Sequence, residues 1–360
     1  MTLLIAVILV ALVFEYINGF HDTANSIATV VSTKVLTPRL AILLAAITNL
    51  GGALWGNAVA KSVSSGLVHS EFVTTQTLIC AILAGITWNL LTWWFGIPSS
   101  STHALVGGLV GATVATAHGN WHAIIWNEPG KNHWWEGKGI LVKVIIPMIT
   151  SPLAGFAIGF VVMTLLYFII QNWRPRTVGL VFGKAQLASA AYMGFSHGSN
   201  DAQKTMGIIA LALVAGSKAG TLESVPQWLE FLRHPMIQSG GKEFIAPWIK
   251  VICALTMAAG TAAGGWRIIR TMGHKMVRLQ PIHGFAAETT AASVLMVAQN
   301  FGMPVSTTHA ITTSIMGVGC AKRFSALKLS VVERILWAWF LTLPVTGALG
   351  YAFMVVARQF

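Results

Sequence analysis

Two short strings recur in this sequence, and both place oxygen-rich side chains where the flanking chain is apolar. Gly96-Ile-Pro-Ser-Ser-Ser-Thr-His-Ala104 returns as Gly302-Met-Pro-Val-Ser-Thr-Thr-His-Ala310, with six of nine positions identical and Ser101 opposite Thr307, so the hydroxyl is kept. Gly19-Phe-His-Asp-Thr-Ala-Asn25 aligns with Gly198-Ser-Asn-Asp-Ala-Gln-Lys204, which sets Asp22 opposite Asp201. Pro98 and Pro304 stop one helix and let another begin just beyond. The first turn of such a helix carries unpaired N–H groups and the positive end of the macrodipole, which together attract an anion. Ser100, Ser101, Thr102, Ser306, Thr307 and Thr308 add hydroxyl donors. Two such tips meeting from opposite sides would replace the hydration shell of a tetrahedral oxyanion with neutral donors, so that it is held and can still be released. Ser and Thr also cap ordinary helices. Duplication at both tips is what turns the reading from a cap to a ligand site.

The aspartate strings suit a cation. Asp22 and Asn25 lie three residues apart and share a helical face, offering a carboxylate and an amide oxygen. Asp201 and Lys204 have the same spacing, but here the lysine is a fixed positive charge, a contact for the anion, or a structural partner of Asp201. A charge at the centre of a bilayer costs roughly 2.5–3.5 kcal/mol on insertion scales, so such residues are usually functional. Glu15 and Glu288 are the remaining acids in apolar stretches. Either suits a coupling proton, although for Glu15 pairing or capping is the preferred expectation. His103 and His309 close the tip motifs; ligand contact and proton relay are open to them, and a hydrogen bond holding the tip in shape is the preferred expectation, while His21 and His197 carry no assigned role.

These motifs need a membrane around them. Of 360 residues, 55% are hydrophobic and 9% charged, with a mean hydropathy of +0.69. Soluble domains carry about 25% charged residues. Apolar runs of roughly 20 residues recur, enough to cross a hydrocarbon core of about 30 Å. The first, Thr2 to Phe20, has no basic start and contains Glu15, so it reads as a retained span and not a signal peptide. The net charge of +12 does not point to nucleic acid, because basic residues cluster in short connections between spans. Cys80, Cys253 and Cys320 sit alone in apolar stretches without metal or redox spacing.

Charge also orders the topology. Four connections are almost purely basic and are assigned to the cytoplasm: Lys34 and Arg39; Arg174, Arg176 and Lys184; Arg267, Arg270, Lys275 and Arg278; Lys322, Arg323 and Lys328. Three mix signs and are assigned outside: Lys61 with Glu71; Glu128, Lys131, Glu136 and Lys138; Lys218, Glu223, Glu230, Arg233, Lys242 and Glu243. Met1 then starts outside, whereas the second half starts inside. Stretches of about 72–118 and 285–320 must each leave and return on one face, as helix–break–helix hairpins entering from opposite sides. The expected fold is an all-α polytopic membrane protein of two inverted repeats, 1–170 and 185–360, joined by a basic cytoplasmic connection at 171–184.

At these motifs the sequence resembles bacterial members of the inorganic phosphate transporter (Pit) family. Gly19-Phe-His-Asp-Thr-Ala-Asn25, Phe195-Ser-His-Gly-Ser-Asn-Asp-Ala-Gln-Lys204 and the two tip strings carry the likeness, which spans all but the 119–140 and 216–246 connections. The resemblance implies a phosphate symporter of the cytoplasmic (inner) membrane that forms a homodimer, and no cofactor. It implies that the six tip hydroxyls line the phosphate site, to which Asn200 and Lys204 are added as candidates, and that Asp22, Asn25 and Asp201 bind the coupling cation or support the site, a set to which Glu288 is added. Sodium-coupled relatives tend to carry asparagine at Lys204 and an acid at Asn49; both departures favour protons over sodium. Carriage of a neutral metal–phosphate complex stays open. Alternatives are transport of another oxyanion such as sulfate, an anion channel, or an intramembrane hydrolase. Against the last, the Ser-Thr-His runs are duplicated where an enzyme needs only one, and no nucleotide-binding loop indicates ATP drive.

Overall fold

A computed structural model describes residues 2–130, 133–223, 225–239, 242–323, 325 and 327–359. Met1 and Lys131 of the topology assignment lie outside the described residues, as do the side chains of Lys242 and Lys275. The order of helices repeats. A long helix α1 (Thr2–Ser32) is followed by a bent pair, α2 (Pro38–Ala53) and α3 (Ala58–Ser65), a hairpin of α4 (Thr75–Phe95) and α5 (Ser101–Thr116), and α6 (Ile146–Ile170). The second half repeats this with α7 (Pro175–Lys218), α8 (Pro247–Ala263) with α9 (Trp266–Arg270), the hairpin α10 (Pro281–Asn300) and α11 (Thr307–Lys322), and α12 (Leu329–Ala357). The bent pairs turn by 67° and 58°. A short antiparallel ribbon, β1 (Met236–Ser239) and β2 (Lys242–Ile245), lies in the connection between α7 and α8.

Local chemistry sets these boundaries. Proline opens α2, α7, α8 and α10, where its missing N–H has no partner to lose. Thr74 and Thr77 close a capping box at the start of α4. Gly96 and Gly302 take φ of 63° and 62°, a left-handed conformation that ends α4 and turns the chain after α10. The hairpins therefore break where Gly96–Pro98 and Gly302–Pro304 predict. The connection expected over 171–184 is shorter, because α7 already begins at Pro175 and its basic first turns project from the bundle.

Two apolar clusters enclose a polar layer. One holds Leu4, Val7, Ala11 and Phe14 from the start of α1 and Ile208 to Leu213 from the later part of α7. The other holds Ala24, Ile27, Ala28 and Val30 from the end of α1 and Phe182, Ala190 and Met193 from the start of α7. The two helices thus run in opposite directions. The body of α5 enters the first cluster and that of α11 the second, so the hairpins open towards opposite faces. The mixed-charge connections flank the first cluster through Val68, Ile124, Leu222 and Ile245, and the basic ones flank the second through Val35, Phe182, Val277 and Leu327. The halves are inverted copies, and contacts pair across them: α1 with α8 as α7 with α2, and α5 with α12 as α11 with α6.

Among the described residues, four stretches are long and apolar enough to span a membrane: Thr2–Ser32, Thr75–Phe95, Leu141–Ile170 and Leu329–Ala357. Each bent pair adds one by length and composition. Apolar side chains such as Leu153, Leu165, Phe168, Trp337 and Phe340 face outward, while Asp22, Asn25, His197 and Asp201 are buried. A surface oily outside and polar within is built for lipid. Helix α7, 44 residues long, is not among the four stretches, because the polar motif around Asp201 interrupts its apolar sequence.

Candidate functional site

The polar layer gathers α1, α7 and the first turns of α5 and α11. Ser100 and Ser306 are the N-caps: their hydroxyl oxygens accept from the backbone N–H of His103 at 3.1 Å and of His309 at 3.2 Å. Each keeps its O–H for a further acceptor. The next residues turn inward onto the aspartates. Asp22 accepts from Ser101 at 2.7 Å, from His21 Nδ1 at 2.6 Å and, over a longer 3.5 Å, from Thr308. Asp201 Oδ2 accepts from Thr307 at 3.0 Å, and its Oδ1 receives the Lys204 ammonium.

Each helix also reaches across to the opposite tip. Asn25 Nδ2 donates to Thr307 at 3.1 Å and to Thr308 at 3.0 Å. Lys204 Nζ donates to Thr102, to Asp201 and, at 3.1 Å, to the Val305 carbonyl, which engages all three ammonium protons. The structure thus brings together Ser100, Ser101, Thr102, Ser306, Thr307, Thr308, Asp22, Asn25, Asp201 and Lys204, all of them buried. Asn200, one residue before Asp201, is fully buried, and neither amide atom has a hydrogen-bond partner among the described residues.

Cation chemistry is concentrated in the same place. Ligand atoms of Asp22, His197 and Asp201 all lie within 4.8 Å of one another. Asn25 Oδ1 has no partner among the described residues. His197 Nε2 is 3.2 Å from Asp201 Oδ2 without the alignment of a hydrogen bond. Its Nδ1 pairs with Asn49 Oδ1 at 3.1 Å, and Asn49 Nδ2 donates to Thr261 at 3.0 Å. With the Nδ1 proton directed at the amide oxygen, Nε2 of a neutral ring presents its lone pair to the carboxylate. That placement suits a shared cation. His21 and His197 had no role from sequence; the i, i+4 spacing of His197 and Asp201 on α7 was the available signal.

Other acids lie apart. Glu288 accepts from Thr29 at 2.5 Å, from Gln186 at 3.1 Å and from Ser189. Ser189 precedes Asp201 by twelve residues, about 18 Å along a helix. Glu288 therefore belongs to a second polar cluster and not to the aspartate pair. Glu15 accepts from the Thr205 hydroxyl and, among the described residues, forms no ion pair with a lysine. His103 and His309 face each other edge to face at 4.9 Å, and His309 stacks on Trp339 at 3.8 Å. The hydrogen bonds expected to hold the tips are not made by these rings, whose nitrogens have no partner among the described residues. Ring packing does that work instead, and Trp339 Nε1 donates to the Pro98 carbonyl at the break of the first hairpin, at 3.1 Å.

Inverted repeats and broken helices around a buried polar layer are an architecture that many secondary transporters share. The sequence profile of the Phosphate transporter family matches residues 18–178 and 170–350, and the chain belongs to that family. Its members are transporters, not enzymes. The chain is 39% identical over 348 residues to a probable low-affinity inorganic phosphate transporter of Mycobacterium leprae, covering 97% of this chain and 76% of the relative. Proteins of the same description match in Bacillus subtilis, at 37% with 97% and 95% covered, and in Rhizobium meliloti, at 39% with 97% and 94% covered. Among solved structures, a sodium-dependent phosphate transporter superposes with a TM-score of 0.80 over the full length of both chains at 22% identity, a likeness of fold.

Proposed function

We propose that this protein carries inorganic phosphate across the cytoplasmic membrane as a proton-coupled symporter. The observation that carries the reading is the crossed arrangement of hydroxyl-bearing tips on two buried aspartates, Ser101 and Thr308 on Asp22 and Thr307 on Asp201. Phosphate would take the hydroxyls of Ser101, Thr102, Thr307 and Thr308 with the first-turn amides of α5 and α11, and Asn200 would complete the shell. Ser100 and Ser306 fix the tips that present them. Asp22, Asn25 Oδ1 and Asp201 Oδ2 hold the coupling cation. Lys204 supplies a built-in positive charge beside Asp201, and that is the reason to prefer protons over sodium.

A second reading is favoured by one feature. An imidazole nitrogen among carboxylate oxygens suits a divalent metal better than sodium. A metal–phosphate complex of zero net charge would leave the charge of the site unchanged, with the metal as cargo. The test is counterflow of labelled phosphate in proteoliposomes of the purified protein. Exchange that excess sulfate does not inhibit supports the phosphate reading. Exchange that sulfate blocks as well as phosphate does would make the protein a general oxyanion carrier, and unitary currents without a coupling ion would make it a channel.

A further inference from the structure

The turn of the first hairpin lines a cleft of about 810 Å³, together with Pro38, Trp94, Trp266, Arg267 and Arg270 among others. We propose that this cleft binds the headgroup of an anionic phospholipid. Its place is the basic face of the molecule, beside the connection that carries Lys34 and Arg39, where the inner leaflet presents negative charge. Arg267 and Arg270 are both exposed, and among the described residues neither forms an ion pair. The Arg267 guanidinium is held over the rings of Trp94 at 4.4 Å and Trp93 at 5.1 Å, and its Nη1 donates to the Trp94 carbonyl at 2.7 Å. One of five donors is thereby engaged, and a fixed cation remains without a counter-anion.

The remaining lining is what a lipid needs and a free anion does not. Trp94, Phe95 and Trp266 are 62%, 65% and 45% exposed, an aromatic rim of the kind found at headgroup depth. On one flank, α2 turns Leu40, Leu43 and Ile47 outward at spacings of three and four, a single apolar face. On the other, α4 exposes Leu90 and Leu91. A phosphodiester between the two arginines would place its acyl chains along these faces. Free phosphate would meet the arginines and leave the aromatic rim without a partner.

The cleft also touches the transport machinery. Arg267 holds the Trp94 carbonyl, and Thr271 donates to the Gly96 carbonyl at 2.8 Å. Pro98 and the tip hydroxyls follow within a few residues. A headgroup drawing on Arg267 thus sets how firmly the first hairpin is pinned to α9, which makes the lipid a modulator of that tip.

Thermal unfolding of the purified full-length chain in detergent, titrated with phosphatidylglycerol or phosphatidylcholine, tests this. Phosphatidylglycerol alone should raise the melting temperature, and the concentration needed should rise at least about tenfold in the Arg267→Gln/Arg270→Gln double variant. Removal of two cations elsewhere on that face, in Arg174→Gln/Arg176→Gln, should leave the response unchanged. Should the first variant fail to fold, Arg270→Gln alone, whose side chain makes no hydrogen bond among the described residues, should weaken the response about fivefold. An unchanged response in the Arg267 and Arg270 variants, an equal loss in the Arg174/Arg176 variant, or an equal response to phosphatidylcholine would overturn the proposal. So would abolition of the phosphatidylglycerol response by inorganic phosphate, which would assign the cleft to the free anion.

Discussion

The two sides of the polar layer follow one plan and differ by one charge. On the first side Asp22 is bound by Ser101 of its own tip, and Asn25 reaches across to Thr307 and Thr308. On the second, Asp201 is bound by Thr307 of its own tip, and Lys204 reaches across to Thr102. Asn25 leaves a carbonyl oxygen open to a cation, whereas Lys204 is itself a cation with every proton engaged. At about 4 Å and an effective dielectric of 20, a second unit charge beside that ammonium would be opposed by about 4 kcal/mol. Geometry is thus conserved between the halves while ion-binding capacity is not. A cation is expected to lean on Asp22 and Asn25 and to take from the second side only Asp201 Oδ2.

The largest effects should come from the aspartates, and they should differ. Asp22→Asn is expected to lower phosphate uptake by about 100-fold, as the loss of a charged ligand worth roughly 3 kcal/mol would, with a smaller change in thermal stability. Asp201→Asn should lose uptake to the same extent and also be destabilised by about 3–5 kcal/mol, because it strands a buried ammonium. Uptake assays paired with thermal unfolding check this, and equal stability losses in the two variants would break the asymmetry. Next in size, Lys204→Asn gives the second side the chemistry of the first. It should reduce proton-driven uptake about tenfold and introduce stimulation by an imposed sodium gradient, read in proteoliposomes.

Within the tips the contrast is between caps and ligands. Ser101→Ala and Thr308→Val should each raise the phosphate KM by about five- to tenfold, the value of one hydrogen bond. Ser100→Ala and Ser306→Ala should each remove about 1 kcal/mol of stability as lost N-caps, with KM within about twofold of the parent. A KM effect as large in the cap variants would return Ser100 and Ser306 to the ligand shell. The smallest effect on phosphate affinity is expected for Glu288→Gln, since its carboxylate binds Thr29, Gln186 and Ser189 in a separate cluster. Initial-rate kinetics should show KM within about twofold.

Much of this was legible because membrane insertion makes sequence speak plainly. Basic and mixed connections sort onto opposite faces, and Gly96, Pro98, Gly302 and Pro304 mark the hairpin breaks without tertiary information. The duplicated tips and aspartates identified the polar layer. What sequence could not order was the third dimension. That Ser100 caps while Ser101 points at Asp22 depends on the phase of a helix beginning at one residue and not the next. That Glu288 lies away from Asp201 depends on which turn of α7 packs on α10. The contact of Asn49 with His197 joins residues 148 positions apart, and no local spacing announces it.

The most direct test of the account is phosphate uptake into proteoliposomes under proton and sodium gradients imposed one at a time. A built-in ammonium beside Asp201 predicts uptake driven by an inward proton gradient with sodium absent, and no gain from sodium. Uptake driven by sodium alone, with none under the proton gradient, would contradict the role given to Lys204 and with it the asymmetry of the site.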